Sequence, residues 1–189
     1  LHMIGKMMNK PSRSTKEQFE KDKVSGESFE RHVLECLSKP HLFGNNLTLS
    51  EGKSYHDIIL NDSRIIRKGD HPLFHFDSGT RFEVKYDKRS TSSGNFAFEM
   101  YYRENPSGIL LEEEHELWVH GVPEEFYIFD SEELFGEINC AMKTKECRFL
   151  PNLGDGSSGA VIPKEIITKI AMMEFRDNEL QSNKREHAY

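Results

Sequence analysis

Long apolar runs are missing from this chain. Hydrophobic residues make up 36% of its 189 residues, yet no stretch approaches the roughly 20 apolar residues that a membrane-spanning helix requires. A water-borne, cytoplasmic protein without a membrane partner is therefore expected. Cysteine is scarce as well. Cys36, Cys140 and Cys147 are odd in number and lack C-x-x-C spacing, which argues against a disulfide scaffold and a zinc ribbon and suits a reducing compartment. Positive charge is in deficit, with 25 Lys and Arg against 32 Asp and Glu and a formal charge of -7. That balance argues against a protein that coats nucleic acid by bulk electrostatics. It leaves room for a local basic patch such as Lys85, Lys88 and Arg89, and carboxylates gathered around a divalent ion would themselves add negative charge. No secretory signal is visible, and the opening Leu1-His2-Met3 reads as a vector scar.

What is present suits one domain, since single domains usually run to roughly 100–200 residues. Residues 1–24 are polar and lysine-rich without sustained periodicity and read as a flexible arm, as do residues 176–189 at the other end. Between them a single domain spans 25–175. Ser25 can cap a first helix whose apolar face is Phe29, Val33 and Leu37 and which stops before Pro40. From Tyr55 onward short β-prone runs alternate with Asn-Asp, Gly-Asp and Ser-Gly turn signals. These include residues 57–60, 64–67, 73–76 and 81–85, followed by strands at 96–101, 116–120 and 125–129. Ser131 is placed to cap a helix over 132–140, a strand follows near Phe149, and Pro163 suits a first helical turn. The order predicts a mixed α/β (α+β) fold with one central sheet.

Phe82-Glu83-Val84-Lys85 is the most informative run. Alternate residues of a strand share a face, so Glu83 and Lys85 project together while Phe82 and Val84 face the packed side. Phosphodiester hydrolysis uses a divalent metal to polarise the phosphoryl group and acidify a water, with a cation near the developing charge. Glu83 can supply a metal oxygen and Lys85 the cation. Asp57, at the mouth of an earlier strand, can supply a second carboxylate, and Mg²⁺ often takes only one or two. Asp62, Asp70 and Asp77 compete for that role, and a solvated Glu/Lys pair on a strand face is the bland alternative.

The order of segments resembles the PD-(D/E)xK, or restriction-endonuclease-like, nuclease superfamily. The resemblance rests on Gly26-Glu27-Ser28-Phe29-Glu30-Arg31, His56-Asp57-Ile58-Ile59-Leu60 and Phe82-Glu83-Val84-Lys85-Tyr86-Asp87. The runs Ser93-Gly94-Asn95-Phe96-Ala97-Phe98-Glu99 and Pro106-Ser107-Gly108-Ile109 look like stretches of small phage and bacterial members. It covers residues 25–135 and implies a mixed sheet flanked by helices, with the first helix buttressing a metal site. By resemblance Asp57 and Glu83 bind Mg²⁺ or Mn²⁺ with the Val84 carbonyl as a further ligand. Lys85 then serves the attacking water and Glu30, with Glu27 as runner-up, assists from the outer shell. The departures are the absence of a proline before Asp57 and a long gap from Asp57 to Glu83, which implies an inserted hairpin over 64–76 or a ligand role for Asp70.

These expectations converge on a metal-dependent nuclease acting on nucleic acid, DNA favoured over RNA, with a homodimer compatible. The alternatives are a non-catalytic nucleic-acid-binding or assembly protein that keeps the fold, and a hydrolase of small phosphoesters. His56, His71, His75, His115 and His120 lack metal-ligand spacing and read as strand or surface histidines. The glycine-rich stretch 154–159 lacks the lysine of a P-loop and reads as a hairpin.

Overall fold

A computed structural model describes residues 16–50, 56–154 and 156–181. The chain opens with helix α1 (Lys16–Leu37) and strands β1 (Leu47–Leu49), β2 (Ile58–Leu60), β3 (Arg64–Lys68), β4 (His71–Phe76) and β5 (Arg81–Tyr86). A short helix α2 (Ser90–Ser93), strands β6 (Asn95–Tyr102) and β7 (Asn105–Pro106) and a 3-10 segment (Gly108–Glu114) follow. Next come β8 (Leu117–Val122), β9 (Glu125–Asp130), α3 (Ser131–Thr144), β10 (Arg148–Gly154) and β11 (Ser157–Pro163). The described chain closes with α4 (Lys164–Ile167), β12 (Met173–Arg176) and β13 (Glu179–Leu180). The fold is mixed α/β, as the alternation of patterns predicts.

Seven strands form the main sheet in the order β1-β2-β5-β8-β9-β12-β13. All its pairings are antiparallel except β5 with β8, which run parallel. The two faces of that sheet explain its layers. Phe82 and Val84 lie with Leu117, Val119 and Ile128 against Phe29, Val33 and Leu37 of α1, so the expected helical stripe is the one that buries. Trp118, Tyr127 and Phe129 point the other way, onto Phe96 and Phe98 of β6 and onto Leu134 and Ile138 of α3. The β6 run therefore belongs to a second, four-stranded sheet, β10-β11-β6-β7, rather than to one central sheet. Both faces of the main sheet are apolar, so a single covering helix leaves one exposed; the second sheet supplies the missing layer.

Three boundaries differ from the sequence reading. Helix α1 starts at Lys16, so residues 16–24 of the supposed arm are helical, and Ser25 is internal, its hydroxyl bonded back to the Lys21 carbonyl at 2.9 Å. Lysines and glutamates favour helix there, and Lys23 pairs with Glu27 one turn on. Residues 1–15 of that arm lie outside the described residues. Asp130, not Ser131, caps α3 by accepting from the Glu133 amide at 2.9 Å, and the helix runs to Thr144. The expected C-terminal tail begins with a β12–β13 hairpin, turned by Asp177 and Asn178 at φ 50° and 66°, residue types that tolerate positive φ in a tight turn. Residues 182–189 lie outside the described residues. Among the described residues, no helix is long and apolar enough to cross a membrane.

Candidate active site

The site forms where β5 overruns its neighbour. Strand β2 pairs with β5 only at Ile58–Phe82 and Ile59–Arg81, so beyond Glu83 that edge of β5 has no strand beside it among the described residues. Asp57 closes the gap. Its amide donates to the Phe82 carbonyl at 2.8 Å, and its Oδ2 accepts from the Val84 amide at 2.7 Å. Continuing the register by one residue sets Asp57 across from Glu83, and paired residues of neighbouring strands present their side chains on one face. The chain between the two is the separate β3–β4 hairpin. Asp70 sits at its exposed tip, so Asp57 and not Asp70 meets Glu83, and this hairpin fills the long sequence gap.

On the other side β8 pairs with β5 in parallel, matching Glu83 with Trp118 and Lys85 with His120. All four side chains share the face turned toward the second sheet. Glu83 Oε1 and Lys85 Nζ form an ion pair, and the same ammonium lies 5.8 Å from the centroid of the Trp118 ring. Burial raises the Glu83 carboxyl; Lys85 opposes the rise in part, the negative charges of Asp57 and Glu30 add to it, and the result is about 7. Glu30 is raised for the same reasons, burial first and Asp57 second. Burial works to lower the Lys85 ammonium, but Glu83, Asp57 and Glu99 outweigh it and its pKa rises. Three carboxylates thus crowd one ammonium.

A cleft of about 1400 Å³ opens over this group, lined among others by Glu30, Val84, Lys85, Lys88, Arg89 and Ser157. One wall is the first half of α1 and the other the tip of the β10–β11 hairpin. Glu30 faces this space, whereas Glu27 is exposed and paired with Lys23. Lys88 and Arg89 are exposed on the turn that leaves β5, which brings the anticipated basic patch to the same wall as Lys85. Asp57 and Glu83 are not among the residues that line the cleft. Asp62 and Asp77 are exposed in the turns beside the β3–β4 hairpin.

Five residues at the site, Asp87, His120, Trp118, His115 and Glu99, were given no part in it by the sequence reading. Asp87 continues the alternation of Glu83 and Lys85, and its Oδ2 takes hydrogen bonds from His120 Nε2 at 3.1 Å and the Ala97 amide at 3.0 Å. Its Oδ1 accepts from the Ser90 amide at 3.1 Å. Burial would raise Asp87, but these donors outweigh it and hold the carboxyl below its ordinary range. His120 and Trp118 are each 1% exposed on β8, so of the two expectations for that histidine the strand one holds and the surface one does not. His115 is equally buried, its Nδ1 2.8 Å from the Ser131 hydroxyl, and burial together with the nearby Lys85 pushes it down to about 4. Glu99 reaches the cleft from β6 with its two oxygens held by the hydroxyls of Ser107 and Ser157.

A divalent ion is tested by the donors present. Among the described residues, no three His, Cys, Asp or Glu side chains converge to hold an ion by themselves. Asp57 and Glu83 offer a pair of carboxylates, the number a hard ion such as Mg²⁺ uses beside water and substrate oxygens. The negative charge of Asp57 adds to the rise at Glu83, with Lys85 as counter-charge, which fits a place where a further cation is favourable. Comparison with protein-family models, with curated proteins and with solved structures finds no match for this chain.

Proposed function

We propose that this protein is a metal-dependent nuclease that hydrolyses phosphodiester bonds of nucleic acid, with DNA the favoured substrate and PD-(D/E)xK enzymes its nearest chemical analogy. The observation that carries the reading is the grouping of Glu30, Asp57 and Glu83 around the Lys85 ammonium, where Glu30 and Lys85 line an open cleft with Lys88 and Arg89 on its wall. Carboxylates repel phosphate, so a surface built only to bind nucleic acid gains nothing from three of them beside its central cation. At about 1400 Å³ the cleft exceeds the roughly 300–1,000 Å³ of small-molecule sites, which favours a polymer over a small phosphoester.

Asp57, Glu83 and the Val84 carbonyl would hold Mg²⁺ or Mn²⁺. Such an ion supplies Lewis-acid polarisation of a phosphoryl oxygen and a more acidic water. Lys85 presents a fixed positive charge to the phosphate oxygens on which charge accumulates, and Glu83 together with the Trp118 face holds that ammonium in place. Lys88 and Arg89 bind flanking phosphates.

A panel of labelled DNA and RNA forms incubated in Mg²⁺ and in Mn²⁺ tests the reading. Cleavage is expected with at least one nucleic acid, and Lys85→Ala should lower turnover about a hundredfold or more, the scale of losing one transition-state donor. Cleavage by Lys85→Ala at the wild-type rate, or no metal-dependent cleavage of any form, would remove the proposal.

A further inference from the structure

Behind Lys85 lies a polar chain that the proposed chemistry does not consume. An indole N–H can only donate, and Trp118 Nε1 donates to His120 Nδ1 at 3.1 Å. That leaves His120 Nε2 as the N–H that donates to Asp87 Oδ2 at 3.1 Å. The Asp87 carboxylate is anchored in turn by the Ala97 and Ser90 amides, so its orientation belongs to the backbone. The His120 ring is confined by Phe96 and Phe98, with centroids at 4.5 and 4.7 Å. Every member has a defined donor and acceptor, and the chain ends at the indole face 5.8 Å from the Lys85 ammonium.

An apolar core needs none of this. Leucine or phenylalanine at 118 and 120 would fill the space between the sheets without polar atoms to satisfy, whereas a buried polar chain is favourable only when complete. What the chain provides is a fixed ring orientation. Lysine has a flexible four-carbon stem; Glu83 holds its ammonium from one side, and an indole that cannot rotate holds it from another through the cation–π attraction.

We infer that Asp87, His120 and Trp118 are positioning residues that hold the Lys85 ammonium in place for reaction with a nucleic-acid phosphate, acting through the tethered indole. The inference builds on the nuclease reading in its final step only; the tether itself is a property of the protein without substrate.

Trp118 is the only tryptophan, so its fluorescence reports the chain directly. Lys85→Ala and His120→Phe should each change the emission of Trp118 in the substrate-free protein. Combined, they should change it by less than the sum of the two, because ammonium and imidazole act on one ring. Trp118→Phe keeps an aromatic face but loses the N–H, and should lower kcat about tenfold with KM within about twofold, the scale of a well-ordered cation–π contact. In a Lys85→Ala background it should lower kcat no further. Strictly additive emission changes, or an equal rate loss from Trp118→Phe with and without Lys85, would overturn the inference and leave the chain a structural element. Absence of any nuclease activity would sink the proposed function, while the fluorescence arm would still decide the tether.

Discussion

Glu83 is where the local electrostatics yield a directional test. Its carboxyl lies at about 7 in the folded protein against an ordinary 4.5, so the folded state holds the proton more tightly than the unfolded chain. The resulting stabilisation is complete below pH 4.5 and is lost as pH rises to 7, on the order of 3 kcal/mol from this group. Carboxyls with lowered values, such as Asp87 and Glu116, work in the opposite sense, so the difference between wild type and Glu83→Gln isolates the effect. Without divalent ions, the wild type should lose melting temperature relative to Glu83→Gln between pH 5 and 7.5. A parallel pair of curves would place the Glu83 carboxyl near its ordinary value.

Asp57 combines two roles that a substitution can separate. Asp57→Ala leaves the buried Val84 amide without its acceptor and should cost about 1–3 kcal/mol of stability. Asp57→Asn can keep that bond through its amide oxygen and should stay folded, yet lose activity and the melting-temperature rise expected with Mg²⁺. Asp70→Ala, at the exposed hairpin tip, should retain both, and loss of activity there would transfer the metal role. Glu83, Lys85 and Asp57 were legible because period-two alternation and a carboxylate at a strand mouth are local signals. Asp87 obeys the same alternation and was readable in principle. His120 and Trp118 were not, since their place beside Lys85 and Glu83 arises from a parallel pairing of β5 with β8, which no local pattern encodes.

At the scale of elements, the β3–β4 hairpin accounts for the long spacing between Asp57 and Glu83. Its strands and turn were legible, but their attachment was not. Arg64 reaches back to the carbonyl of Pro40 at 2.5 Å, and Phe76 packs on Phe43, centroids 5.3 Å apart, within the α1-side core. The hairpin is therefore anchored to the link between α1 and β1 and to the core beneath it, and is not a free appendage. Phe76→Ala should destabilise by about 3–5 kcal/mol, as for other buried phenylalanines, and a chemical-denaturation midpoint would show it. A change within error would mean that the hairpin folds independently of the core. The start of α3 was misread because single-residue caps compete: Asp130 stands beside Ser131, and both are good capping residues.

For the whole molecule, the proposed function asks how an acidic protein would engage a polyanion. The net charge of -7 opposes approach at long range, so attraction must come from the few cations of the cleft within a Debye length, about 8 Å at physiological salt. Lys85, Lys88 and Arg89 set the expected number of phosphate contacts near three. Each neutralised phosphate contributes about -0.9 to the slope of log K against log salt on duplex DNA and about -0.7 on single strands. Binding measured by fluorescence anisotropy in Ca²⁺, to separate binding from cleavage, should therefore show a slope of roughly -2 to -3. Lys88→Ala with Arg89→Ala should flatten it by nearly two while leaving the melting temperature almost unchanged, because Lys88 has no ion pair among the described residues and Arg89 only a 3.5 Å contact to the Leu153 carbonyl. A slope that survives the double substitution would put the phosphate path on another surface, and a much steeper wild-type slope would require a basic face beyond this cleft.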